Sequence, residues 1–150
     1  MKKIIIAIDS FKGCLTSAEA GKAAEKGIKS INPSCHTSVI PIADGGEGLL
    51  DVLIRATKGK YITLSAHGPL MKMAKTHYGL SGNGRTAIIE MAAISGLPLV
   101  PIEQRNPMLT TTFGTGELIK DALNKGCRNF IIGIGGSATN DAGLGMLQAL

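Results

Sequence analysis

Tryptophan is absent, and aromatic residues make up only 3% of the 150-residue chain, so any core must be filled by Ile, Leu, Val, Ala and Met. With 44% hydrophobic residues such a core is attainable for one domain, which excludes disorder as the default state. Cysteine is scarce. Cys14, Cys35 and Cys127 are odd in number and lack any CxxC spacing, which argues against a disulfide framework or a zinc site and for a reducing cytoplasm. Long apolar runs are also missing. Lys2 and Lys3 precede an apolar run over residues 4–8, but Asp9 ends it too soon for a signal peptide, and no other run is long enough to span a bilayer. Although 16 Lys and Arg against 11 Asp and Glu leave a charge of +5, the cations are scattered without interleaved aromatics. Nucleic acid is therefore not the expected partner, and a mild positive bias suits anionic ligands or a solvated surface equally. His36, His67 and His77 have neither metal-ligand spacing nor a Ser or Cys partner motif, which argues against a triad hydrolase.

What is present is 20 glycines placed between apolar segments. Residues 4–8 form a β-branched run expected of a strand covered on both faces. Thr16 with Glu19 has capping-box spacing, predicting a helix over 17–30 that Asn32-Pro33 ends. A second strand is expected over 37–42, a tight loop over 43–48 and a helix over 49–56, repeating the βα pattern. Residues 61–65, 72–80 and 86–91 read as strands, the last two as an antiparallel hairpin. A Pro-rich polar segment over 96–107 and a loop over 110–116 precede a helix over 117–124 closed by Gly126. A buried strand over 130–134 and a helix from 144 complete the pattern, which is that of an α/β protein.

Ligands of open α/β sheets sit beyond the carboxyl ends of parallel strands, so the polar loops after residues 8, 42 and 134 carry the candidate chemistry. Gly135-Gly136-Ser137 can present backbone N–H groups to an anion, or be a plain strand-to-helix turn. Asp44 and Glu47 can hold a hard cation together with water and phosphate oxygens, or merely bias a helix start. Lys12 can neutralise a transferring phosphoryl group, or be a solvated loop lysine. Asp141 can accept a proton from a hydroxyl or hold a metal, or cap the following helix.

Read in order, Asp9-Ser10-Phe11-Lys12-Gly13, Ala43-Asp44-Gly45-Gly46-Glu47-Gly48, Ile89-Glu90-Met91-Ala92, Thr112-Phe113-Gly114-Thr115-Gly116-Glu117 and Gly135-Gly136-Ser137-Ala138-Thr139-Asn140-Asp141 resemble the motifs of the bacterial glycerate kinase family. Ser95-Gly96-Leu97-Pro98-Leu99 and Arg105-Asn106-Pro107 extend the resemblance through essentially the whole chain. The chain departs from it at Ile8, Cys14 and Ala142, where the family often shows Pro, Ser and Gly.

The resemblance implies ATP-dependent phosphorylation of D-glycerate, with the 2-hydroxyl favoured over the 3-hydroxyl, ATP and Mg²⁺ as cofactors, and no nucleic-acid or membrane partner. It implies a Rossmann- or flavodoxin-like parallel-sheet domain begun by residues 1–68, with a second α/β domain inserted from residue 69, both incomplete here because the family's chains are much longer. Lys12, Asp44 and Asp141 then become the catalytic candidates, with Asp44 and Glu47 on the metal. Ser10, Glu90 and Thr115 hold glycerate, and Gly135, Gly136, Ser137 and Thr139 bind phosphate. Exposed sheet edges are then expected to leave the 150-residue chain poorly soluble or poorly active by itself.

Two other readings remain open. Gly133, Gly135 and Ala138 match a GxGxxA dinucleotide fingerprint, whose acidic partner would lie beyond Leu150. A non-catalytic anion-binding domain would keep the glycine loops without the rest of a site.

Overall fold

The computed structural model describes residues 3–150; Met1 and Lys2, the first of the two lysines ahead of the opening apolar run, lie outside the described residues. The chain divides into two compact units after Asp44.

The first unit is a βαβ element. Strand β1 (Lys3–Ile8) leads through a loop to helix α1 (Ser17–Ile31) and back to β2 (His36–Pro41), which pairs parallel with β1 from Lys3↔His36 to Ile8↔Pro41. The helix starts where the capping box places it. The Thr16 hydroxyl accepts the Glu19 N–H at 3.2 Å, and the Glu19 carboxylate accepts the Thr16 N–H at 2.8 Å. Ser17 ties the two strand ends together, its hydroxyl donating to the Ile8 carbonyl at 2.6 Å and accepting from the Ile42 N–H at 3.0 Å. Gly21 lets α1 approach β2, for a Cβ there would stand 2.4 Å from Val39 Cγ1.

In the second unit a four-stranded sheet runs in the order β3 (Lys60–His67), β4 (Met73–Leu80), β5 (Thr86–Glu90), β6 (Asn129–Gly133). The first two junctions are antiparallel and the last is parallel. Alternation along β5 explains the layering. Ala87 and Ile89 point into a core with Ala66, Tyr78, Ile94 and Leu118, whereas Ile88 packs with Leu50 and Ile54 of α2 (Leu49–Thr57). Leu118, Ile119 and Ala122 belong to α4 (Phe113–Asn124), so α2 and α4 contribute to different clusters. Between β5 and α4 lie α3 (Ala92–Ser95) and two 3₁₀ turns at Leu97–Leu99 and Ile102–Gln104; α5 (Leu144–Ala149) follows β6.

Three sequence expectations differ from what is found. The β4–β5 pairing exists but spans only Gly79↔Ile88 and Leu80↔Ala87, whereas β3 and β4 pair along their full length. Strands β1 and β6, expected to be covered, instead leave Ile4, Ile5, Ile131 and Ile132 exposed. Helix α4 begins at Phe113 rather than at 117. The glycines that suggested a loop are contact residues within the helix: a Cβ on Gly114 would collide with the His67 carbonyl oxygen at 1.9 Å, and one on Gly116 with the Met146 carbonyl oxygen at 2.3 Å.

Candidate functional site

In the first unit the loop after β1 carries Ser10 and Lys12, and the end of the unit carries Asp44. The Ser10 N–H donates to Asp9 Oδ1 at 2.7 Å, a local turn that leaves the Ser10 hydroxyl with no partner among the described residues. Lys12 Nζ stands 3.8 Å from Asp44 Oδ2, with the two side chains 79% and 58% exposed. An ion pair this open contributes at most about 1 kcal/mol. The Lys12 ammonium is therefore available to a ligand at little cost in stability.

In the second unit the loop over 45–48 is fixed from two sides. Gly45 and Gly48 have φ of 94° and 91°, a left-handed backbone that side-chain-bearing residues rarely adopt. On one side the loop abuts the end of β6. Gly135 N–H donates to the Gly45 carbonyl at 3.2 Å, and a Cβ on Gly135 would meet Gly46 Cα at 2.7 Å. On the other side stands Glu90, the last residue of β5 and buried. Its Oε2 accepts the N–H groups of Gly48 at 3.2 Å and Leu50 at 3.3 Å, at the start of α2. Burial pushes the Glu90 carboxyl above its ordinary value, against the pull of these two backbone donors. Glu47 is exposed on the same loop.

Beyond β6 the loop is stitched to the segment after α3. Leu97 N–H donates to the Gly136 carbonyl at 2.9 Å and Ala138 N–H to the Ser95 carbonyl at 3.0 Å. The Thr139 hydroxyl donates to the Thr110 carbonyl at 2.7 Å, and the Ser137 hydroxyl bridges to Thr139. The N–H groups of Gly136 and Ser137 have no partner among the described residues, and both residues are exposed. Gly136 has φ 74°. This is the arrangement an anion requires: fixed carbonyls turned into the protein and adjacent amides left open. The GxGxxA reading finds less support. No helix starts near Ala138; α5 begins only at Leu144, so the strand–turn–helix on which that fingerprint depends is missing.

Asp141 and Thr115 differ in setting from the open groups expected of catalytic and glycerate-contacting residues. Asp141 Oδ2 accepts from the Thr112 N–H and hydroxyl, both at 2.8 Å, and from the Gly145 N–H at 3.2 Å, while Oδ1 accepts the Gly143 N–H at 3.0 Å. Burial works to raise its pKa, but these donors outweigh it and hold the carboxyl below the ordinary range. The Thr112 hydroxyl in turn accepts the Met146 N–H at 2.9 Å. Asp141 and Thr112 thus join the starts of α4 and α5. Thr115 is 1% exposed inside α4, its hydroxyl 2.9 Å from that of Ser95. Thr112 was not a sequence candidate, because its partner lies 29 residues away and only the fold brings them together.

Among the described residues, no three His, Cys, Asp or Glu side chains gather as a metal would require of a purely protein cage. A magnesium ion that keeps water and phosphate oxygens needs only one or two carboxylates, and the exposed Asp44 and Glu47 are donors of that kind. His67 is not part of a nucleophile pair. Its Nδ1 lies 2.9 Å from Glu117 Oε1 and its ring packs edge-on to Phe113. No helix among the described residues is long and apolar enough to cross a membrane.

Residues 4–150 match the family model described as the glycerate kinase family. Among curated proteins the chain is 57% identical to a Haemophilus influenzae protein named glycerate kinase, 55% to a Bacillus subtilis glycerate kinase and 53% to an Escherichia coli protein named glycerate 2-kinase. Each match covers 99% of this chain but 39% of the relative. A solved chain from Salmonella typhimurium LT2, named as a glycerate kinase 2, is 50% identical with a TM-score of 0.81, covering 100% of this chain and 41% of that one. The chain therefore spans about two fifths of the length of the relatives it matches.

Proposed function

Because the chain belongs to the glycerate kinase family, we propose that it forms part of an enzyme that transfers the terminal phosphoryl group of ATP to a hydroxyl of D-glycerate. The observation that carries this reading is the family match across residues 4–150. The geometry of the loop after β6 supports it independently, since the open amides of Gly136 and Ser137 suit an anionic group, with Gly135 and Thr139 fixing the loop's course.

Phosphoryl transfer asks mainly for positioning and charge compensation. Lys12 neutralises charge on the transferring group, its ammonium held only by an open pair with Asp44. Asp44 and Glu47 are the residues that would hold a magnesium ion, whose contribution is to compensate phosphate charge. The Ser10 hydroxyl, unpartnered within its unit, is the substrate-facing donor for glycerate. Asp141 and Thr115 act through the second unit's own frame, Asp141 by joining two helix starts and Thr115 by its hydroxyl contact with Ser95 at the end of α3. The 2-hydroxyl is the proposed acceptor; the name of the Escherichia coli relative supports that choice. The discontinuous architecture, with a second α/β domain inserted near residue 69, belongs to the same proposal, as does a cytoplasmic setting.

Phosphorus NMR of the product made from D-glycerate and Mg-ATP, in a protein of the relatives' full length, tests the assignment. The expected outcome is a phosphate ester on the 2-hydroxyl, with turnover reduced about 10²- to 10³-fold by Lys12→Ala, the scale of losing one charge-stabilising group. Near-normal turnover in both Lys12→Ala and Asp44→Asn would remove these residues from the mechanism.

A further inference from the structure

The carboxylate of Glu90 uses only one of its oxygens on the loop it faces. Oε2 accepts both the Gly48 and the Leu50 N–H, at 3.2 and 3.3 Å, from a position 40 or more residues along the chain. These are orphan donors at the start of α2, a helix whose Gly48 cap offers no side-chain acceptor of its own. Glu90 therefore serves as the missing cap. The opposite flank of the loop rests on Gly133 and Gly135, where a Cβ would come within 2.5 Å of the Gly45 carbonyl oxygen and 2.7 Å of Gly46 Cα. The loop that presents Glu47 is thus held between the ends of two parallel neighbouring strands, β5 and β6.

We infer that Glu90 is a positioning residue, which fixes the glycine loop carrying Glu47 through a single carboxylate oxygen instead of contacting glycerate or a cation itself. This rests on the kinase reading for its consequence in catalysis, but not for the clamp. Oxygen count makes the inference specific. A glutamine keeps a carbonyl oxygen able to accept both N–H groups while losing the charge, whereas alanine loses the acceptor and leaves the buried Leu50 donor and the partly buried Gly48 donor without it.

The test compares Glu90→Gln and Glu90→Ala in the full-length protein, by hydrogen exchange at the Gly48 and Leu50 amides and by steady-state kinetics with Mg-ATP and D-glycerate. The expected result is that Gln keeps amide protection and a kcat within about threefold of the parent, while Ala loses protection at both amides and about tenfold or more in kcat, the scale of a lost buried hydrogen-bond partner. If Gln loses activity as deeply as Ala with both amides still protected, the charge itself is used and the inference fails. If Ala leaves both amides protected, there is no clamp and the inference also fails. A parent enzyme without turnover on glycerate would count against the kinase reading alone, because the exchange measurement still decides the clamp.

Discussion

The Asp141 carboxylate accepts backbone N–H groups from Thr112, Gly143 and Gly145 as well as the Thr112 hydroxyl, leaving little capacity for a proton from substrate. Its pKa is lowered, so its stabilising effect is present above the ordinary value of 3.8 and fades as pH falls through the lower value of the folded state. Asp141→Asn is expected to cost about 1–2 kcal/mol at neutral pH, as for loss of a helix cap, and to approach the parent in acid; thermal melts across pH check this. Glu90 has the opposite sign. Its pKa is raised from 4.5, so the cost of ionising it in the folded state appears as pH rises above that value, and Glu90→Gln should melt higher than the parent at neutral pH but not below 4.5. Next to Asp141, Ala142 holds φ 52°, a left-handed conformation that favours glycine. Ala142→Gly should therefore stabilise the protein by about 0.5–1 kcal/mol, and an unchanged or lower melting temperature would contradict that.

Among elements, those with strong local signals were legible in the sequence. The capping box at Thr16 and Glu19 placed α1 to within a residue or two, and β-branched side-chain shape placed β1 and β6, although the burial expected of both strands is not found. The start of α4 was not legible. Gly114 and Gly116 are loop-like by propensity, yet tertiary contact with the His67 and Met146 carbonyls requires residues without a Cβ at those helical positions. Gly116→Ala would gain helix propensity but place a Cβ 2.3 Å from the Met146 carbonyl oxygen, so it is expected to destabilise the α4–α5 packing by about 1–3 kcal/mol. A denaturant midpoint equal to the parent's would show that α5 shifts freely instead. The β3–β4 hairpin was half legible: both strands were expected, but their partner choice depends on long-range register, which no local pattern carries.

At the scale of the whole molecule, apolar surface is left open in both units. Ile5, Ile31 and Ile40 are exposed in the first, and Ile131, Ile132 and Ile134 at or just beyond β6 in the second. Parallel strands are normally covered on both faces, and open apolar strands invite association. The 150-residue chain by itself is expected to bind a hydrophobic dye and release little ADP; a soluble, cooperatively folding and fully active 150-residue protein would contradict this. The candidate site was legible as a set of loops, because glycine, carboxylate and lysine at strand ends are local signals. What each residue does inside its loop was not, since the partners of Glu90 and Asp141 come from distant segments. The most direct test of the central claim is a coupled ADP-release assay on the protein at its relatives' full length, with Mg-ATP and with or without D-glycerate. The account predicts ADP release that depends on D-glycerate; a folded protein that binds ATP yet releases no ADP with D-glycerate would contradict it.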